Sequence, residues 1–286
     1  MWIFLAVLTA VFTSLQEVYT KKITSKVNPY VIAWGWMFFS LPFLAPFLGA
    51  ESLPRIGPLF IKTLIASTLI LTFAAILYVK AIEASDLSLC VPMLTFTPLF
   101  LLLTSPMMVG ESPGPRGLWG VLMIVVGSYI LNIKDFTRGP LKPFQDLIAH
   151  QGTRYMLIVA ILFSVGANCD KIGVIHSSPI IWLFSLNLAV SVALFFFMIK
   201  NVQGIRKEIQ SVWPVLLITG FFNGAAILCQ MFAIKLTLVP YLIAIKRVSA
   251  LITSVLGLVI FKEKSGKERL IAALLMVVGV FLIAFS

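Results

Sequence analysis

The chain is built of long apolar runs separated by short polar ones. Ten such runs lie near residues 2–22, 29–49, 57–82, 87–109, 115–133, 154–175, 178–200, 212–235, 238–261 and 267–285. Each is close to the roughly 20 helical residues needed to cross a hydrocarbon core of about 30 Å. Runs of this length, without the period-two alternation of a half-buried strand, predict ten membrane-spanning helices. Pro29, Pro115, Pro179 and Pro240 fall near predicted helix starts, where a missing N–H costs little. Pro42, Pro46, Pro92, Pro98 and Pro106 fall inside runs and predict local kinks, which a membrane protein tolerates where helices pack or line a cavity.

The pattern repeats. Lys21 and Pro29 recur as Lys171 and Pro179. Ala74-Ala75-Ile76-Leu77 recurs as Ala225-Ala226-Ile227-Leu228, and Ala81-Ile82 as Ala233-Ile234. Glu111 with Val125-Val126-Gly127 recurs as Glu263 with Val277-Val278-Gly279, so the offset stays between 150 and 152 residues along the chain. Each half holds five spans, an odd number, so the second half enters the bilayer from the opposite face. This is an inverted-topology repeat, a build common among secondary transporters, whose substrate sites lie near the midplane between the repeats. The expected organisation is a first five-helix repeat over 1–135, a linker over 136–153 and a second repeat over 154–286. Within the linker, Leu141 to His150 fits a short surface helix.

The sharpest break in the apolar pattern lies at the centre of a run. Lys246 and Arg247 stand side by side in the middle of the ninth run, read as one helix from Val239 to Phe261. A cation at bilayer depth costs roughly 2.5–3.5 kcal/mol on insertion scales, so intramembrane cations mark functional sites by default. A water-filled, anion-attracting cavity inside a helical membrane protein explains the pair most cheaply.

Composition agrees with the spans. The chain is 60% hydrophobic and 12% charged, with a mean hydropathy of +1.04, whereas soluble domains carry about 25% charged residues. The net charge of +11 does not imply nucleic acid as a partner. Counting each loop together with the span ends that flank it, fifteen Lys and Arg follow odd-numbered spans and five follow even-numbered ones. By the positive-inside rule the odd loops are cytoplasmic and both termini outside. Short loops and few charged tails fit a prokaryotic plasma membrane. The first run begins at Trp2 with no basic residue ahead of it, unlike a signal peptide, and is read as a membrane helix.

Cys90, Cys169 and Cys229 lie within apolar runs without a CxxC pair and read as small packing residues. His150 and His176 are the two histidines, and no metal motif, catalytic triad, phosphate-binding loop or ATP-binding motif is present. No cofactor and no enzymatic role are expected, so active transport has to borrow an ion or exchange gradient.

The ten spans, the repeat and two segments, Pro98 to Glu111 (PLFLLLTSPMMVGE) followed by Gly127 and Pro240 to Glu263 (PYLIAIKRVSALITSVLGLVIFKE) followed by Gly279, resemble the drug/metabolite transporter superfamily and its EamA-type families. The resemblance covers essentially the whole chain and implies a permease. The Lys246–Arg247 pair is similar to the basic pair that sugar-phosphate translocators carry in their ninth helix, which implies an anionic ligand. Many relatives are drawn with both termini in the cytoplasm, and the charge bias here departs from that.

Further candidates accompany the pair. Asn223 and Gln230, seven residues apart on span 8, lie on one helix face and suit hydrogen bonds either to substrate or between helices. Gly220 and Gly224 form a GxxxG that lets a neighbour approach closely. Asn187 on span 7 and Asn168 on span 6 suit the cavity. Asp170 and Lys171 read either as a boundary ion pair or, for Lys171, as a second cation. Glu17 is a candidate proton-coupling acid, with Lys21 one turn on as the alternative surface partner. Tyr78, Lys80 and Tyr241 suit either the cavity or interfacial anchoring, and Trp34 and Trp36 suit packing. Glu111 and Glu263 are expected to cap the helix that follows each. Spans 1–4 and 6–9 are expected to enclose the site, with spans 5 and 10 padding the outside or forming a homodimer contact.

The reading is therefore an all-α membrane protein that moves a small organic anion, phosphorylated or carboxylated, by alternating access and plausibly by exchange. The alternatives are an exporter of amino acids or drug-like amphiphiles, and a non-transporting component such as a scramblase.

Overall fold

The computed structural model describes residues 1–49, 56–85, 91–132, 150–261 and 267–286. The helices are α1 (Trp2–Lys21), α2 (Pro29–Phe38), α3 (Leu41–Leu48), α4 (Phe60–Ala84), α5 (Thr97–Met108) entered through a 3₁₀ segment (Val91–Phe96), α6 (Pro115–Asn132), α7 (Gln151–Ile175), α8 (Pro179–Asn201), α9 (Ile205–Ile234), α10 (Val239–Lys246), α11 (Val248–Phe261) and α12 (Lys267–Ala284). Among the described residues, six segments are long and apolar enough to cross a membrane, and three shorter apolar helices accompany them. Cys90, Glu263 and the linker up to residue 149 lie outside the described residues, and from Gln151 the chain is already in α7.

Seven of the ten predicted spans are single helices, and the second, fourth and ninth are broken. Spans 2 and 4 break where prolines sit: Pro42 is in the first turn of α3, while Pro92 lies in the 3₁₀ segment and Pro98 in the first turn of α5. Proline lacks the N–H and clashes with the preceding turn, so the ladder is interrupted there. Span 9 corrects the expectation of a continuous helix from Val239 to Phe261. It breaks at Arg247, which has no proline beside it. The Arg247 N–H donates to Ala244 O at 3.0 Å and the Ala250 N–H to Arg247 O at 3.1 Å. These i to i+3 bonds tighten the chain into a 3₁₀-like joint.

The chain folds into two compact units, and each draws on both sequence halves. Unit 1 holds residues 1–73 and 169–236; unit 2 holds 74–168 and 237–286.

In unit 1, α1 lies along α9, and α2 packs on both α8 and α9. Phe222 of α9 stacks on Phe12 and Tyr19 of α1, with ring centroids 6.3 and 5.8 Å away. Gly220 faces the break between α2 and α3. A Cβ there would stand 2.7 Å from the Phe39 carbonyl carbon, so the GxxxG admits the backbone of a broken helix. α2 and α8 are repeat equivalents with the same start: Asn28 Oδ1 accepts the Tyr30 N–H and Ser178 Oγ the Ile181 N–H, each just before a proline at the first helical position. The part of α4 in this unit exposes Ile61, Ile65, Leu69 and Phe73 at four-residue spacing. An apolar stripe of that kind turned outward is what a lipid-facing helix requires.

In unit 2, α6 and α12 pair closely. A Cβ on Gly120 would lie 2.7 Å from Gly279 O, and a Cβ on Gly279 would lie 2.7 Å from Gly120 O. A Cβ on Gly127 would lie 2.8 Å from Ala272 O. With Gly127 matched to Gly279 across the repeat, these contacts are images of one another, as a two-fold between the two helices requires. Spans 5 and 10 thus bury their small-residue faces on each other. Their outer faces carry Trp119, Leu270, Leu274 and Phe281 exposed. The lower part of α4 packs on α7 through Ala74, Leu77, Ala81, Met156 and Val159, with Met93 beside them.

Glu111 also corrects an expectation. Its Oε2 accepts the Val239 N–H at 2.8 Å, so the helix N-terminus it caps is that of α10, far along the chain. A cap of this kind contributes about 0.5–2 kcal/mol.

Candidate substrate site

The ninth span brings its cations to a helix joint. Val239 through Ile245 are all buried, and the next two residues, Lys246 and Arg247, are only partly so. α10 is apolar all round, so it packs as a core helix and delivers both cations at its C-terminal end. That end carries the negative pole of the helix dipole, where a cation is stabilised.

The Arg247 guanidinium donates from Nη2 to Thr97 Oγ1 at 2.8 Å. Thr97 donates its own hydroxyl proton to Leu94 O at 2.8 Å, inside the 3₁₀ segment. The hydroxyl is then left to the guanidinium as an acceptor, which is the only role Arg can use. Thr97 is 150 residues from Arg247, two short of the 152-residue offset that relates Ala81 to Ala233 and Glu111 to Glu263, so it lies two residues from Thr95, the repeat counterpart of Arg247. Two positions related by a two-fold touch only where the axis passes between them. Arg247 and Thr97 miss that relation by two residues, so their contact lies beside the axis that relates span 4 to span 9.

Tyr241, also on α10, is buried against α6, and a Cβ on Gly117 would overlap its ring. Tyr78 is partly buried at the margin of the α4–α7 cluster. Asn168 is fully buried and bridges α7 to α5: Ser105 Oγ donates to its Oδ1 at 2.7 Å, and its Nδ2 donates to Thr104 Oγ1 at 2.9 Å and Ser164 O at 3.1 Å.

The remaining candidates belong to unit 1. Asn187 Nδ2 donates to Ser40 Oγ at 2.7 Å, and Ser40 Oγ donates to Met37 O at 2.7 Å. Asn223 Nδ2 donates to Trp36 O at 3.1 Å. Trp36 and Met37 lie in the last turn of α2, whose carbonyls lose their partners at the break. The amides therefore satisfy a helix end that the break creates. Gln230 is buried on α9, two turns beyond Asn223. On α1, Gln16 is buried and Glu17 exposed.

Asp170 and Lys171 are both buried inside the protein. Asp170 Oδ1 accepts the Trp182 indole N–H at 3.0 Å, and Lys171 Nζ donates to Ile234 O at 2.6 Å, at the C-terminus of α9. Trp34 is buried and stacks on Phe38 at 4.6 Å, and Trp36 donates its indole N–H to Thr20 Oγ1 at 3.2 Å. Cys169 is buried and Cys229 half-buried, both as free thiols. Among the described residues no group of three His, Cys, Asp or Glu side chains could hold a metal ion.

Two residues near the pair were not singled out from the sequence as parts of its site: Thr97, whose signal is that it stands two residues from the repeat counterpart of Arg247, and Glu111, whose partner is not adjacent in sequence.

The family model for EamA-like transporters matches residues 1–133 and 151–285, one match for each repeat. The chain belongs to the EamA-like transporter family. It is therefore a multi-pass membrane protein of a transporter family, within the drug/metabolite transporter superfamily, with ten helices in two repeats. No curated protein matches it in sequence. One solved crystal structure superposes on 99% of this EamA-like chain and 97% of its own with a TM-score of 0.78 and 17% sequence identity, a likeness of fold.

Proposed function

We propose that this EamA-like protein is a secondary transporter working by alternating access, and that its cargo is a small organic anion, phosphorylated or carboxylated. The observation that carries the reading is the placement of Lys246 and Arg247 at a helix joint by the repeat axis, with the guanidinium oriented by Thr97. Arg247 would grip a phosphate or carboxylate through its fork, and Lys246 would supply a mobile point charge. Tyr241 and Tyr78 would complete the apolar and hydroxyl lining, and Asn168, Asn187, Asn223 and Gln230 would shape the path. Glu17 is the proposed coupling acid.

Two cations need neutralising in every state. Exchange of one anion for another is the proposed mode, since an anion then accompanies the two cations through each reorientation. The charge bias of the loops supports both termini outside a prokaryotic plasma membrane.

The test is thermal stabilisation of the purified protein by a panel of anionic, neutral and cationic metabolites, with Lys246→Ala and Arg247→Ala alongside. A ligand at 100 times its dissociation constant stabilises by about 2.7 kcal/mol. An anion that stabilises the wild type and neither variant fixes substrate class and site together. Stabilisation by neutral or cationic compounds alone, equal in the variants, replaces this reading with the amphiphile exporter.

A further inference from the structure

We infer that Glu111 is a positioning residue for the Lys246–Arg247 pair, setting where the two cations stand by holding the far end of the helix that presents them. The inference rests on the reading that this pair binds the transported anion.

α10 is eight residues long and seven of them are buried; Tyr241 sits against Gly117 of α6, and the rest of that surface is aliphatic, with no side-chain hydrogen bond along it among the described residues. The polar contacts at its two ends therefore bear on where its C-terminus stands. The residue before it, Leu238, provides no side-chain cap, and Pro240 has no N–H to offer. The Val239 N–H is instead taken by Glu111 Oε2 at 2.8 Å. At the other end, the Arg247 guanidinium bonds Thr97 Oγ1 at 2.8 Å.

Thr97 opens α5, and Glu111 follows its last residue, Met108, by three positions. Both ends of α10 are thereby tied to the two ends of one helix. α5 is fastened in turn to α7, through Ser105, Thr104 and Asn168. The negative charge stands at the N-terminus of α10 and the positive charges at its C-terminus, each where the helix dipole favours it. Removing the carboxylate frees the N-terminal end. The cations then shift although neither has been altered.

Two readouts separate this role from general stability. In a full-length background carrying Cys90→Ser, Cys169→Ser and Cys229→Ser, the Arg247→Cys variant is reacted with an anionic thiosulfonate reagent. Adding Glu111→Ala is expected to change the modification rate on the order of tenfold, while Glu111→Gln, which keeps an oxygen acceptor, stays within about twofold. Asn28→Ala, which removes a helix cap in unit 1, lowers the unfolding midpoint and leaves the rate unchanged. A Glu111→Ala rate equal to the parent's overturns the proposal, whatever happens to the midpoint.

In the chain with both cations intact, inorganic phosphate is titrated while thermal unfolding is followed. Glu111→Ala is expected to raise the apparent dissociation constant on the order of tenfold, with Glu111→Gln restoring most of it. A constant left unchanged by Glu111→Ala overturns the link to ligand. If phosphate does not stabilise the wild type but the modification rate still changes, the phosphate-binding reading falls and the positioning role stands.

Discussion

Two helix pairs in unit 2 answer the same repeat in different ways. α6 and α12 meet symmetrically: the missing Cβ of Gly127 faces Ala272 O at 2.8 Å, and that of its equivalent Gly279 faces Gly120 O at 2.7 Å. Spans 4 and 9 are also repeat equivalents and are interrupted at matching places, since α5 starts at Thr97 and α11 at Val248. Their interruptions differ in cause and in content. Span 4 is broken by prolines through a six-residue 3₁₀ segment; span 9 is broken at one residue, and that residue is an arginine. Where only close packing is at stake, both halves keep the same solution. At the interruptions, one half supplies the cation and the other supplies the hydroxyl that accepts from it.

The comparison breaks most decisively at the cations. Lys246→Ala combined with Arg247→Ala is expected to abolish anion-dependent stabilisation and transport outright, a loss of at least about 100-fold, with the fold retained. Flux assays in proteoliposomes and circular dichroism check the two halves of that statement. Normal transport by the double variant would remove the functional asymmetry between spans 4 and 9.

The symmetric pair offers a second handle. Gly127→Val and Gly279→Val, which are repeat equivalents, each drive a side chain into a backbone carbonyl and should each destabilise by about 1–3 kcal/mol, the usual range for overpacking. The informative point is their equality, read from unfolding midpoints. A cost confined to one of the two would show that the pseudo-two-fold does not govern this contact.

Thr97→Val comes next in size. It removes the acceptor of the Arg247 guanidinium and should weaken anion binding about tenfold, or ~1.4 kcal/mol, while Thr97→Ser restores it. The smallest effect is expected at the broken second span. Asn187→Ala deletes one interhelical hydrogen bond to Ser40 and should cost about 0.6 kcal/mol, the average for such bonds in membrane proteins. Its measurement by equilibrium unfolding tests whether this amide serves chiefly to hold the break together.

The ten spans, the inverted repeat and the family were legible in the sequence, because the bilayer is a demanding solvent. A segment that crosses it has to be apolar over a fixed length, and that length is written in the chain one residue after another. The cation pair was legible for the same reason: a charge in an apolar run is expensive and therefore conspicuous. The breaks in spans 2 and 4 were announced by prolines. The break at Arg247 was not: no proline stands there, and the hydroxyl its side chain reaches, Thr97, is 150 residues away.

Other features were decided only by the tertiary structure. Hydropathy shows that Asn187 and Asn223 are polar residues inside the membrane. It does not show that the end of α2 lies opposite them with carbonyls to satisfy. Glu111 could be read as a helix cap, but which N-terminus it reaches depends on how α5 and α10 lie together. Asp170 and Lys171 look like a boundary pair, yet each is buried and bonded to a different helix. The sequence by itself determined which segments enter the membrane and which residues are costly there, because both follow from the transfer of single side chains out of water. The tertiary structure decided which helix ends those residues satisfy, because a hydrogen bond requires two groups within about 3 Å, a condition set by packing and not by sequence order.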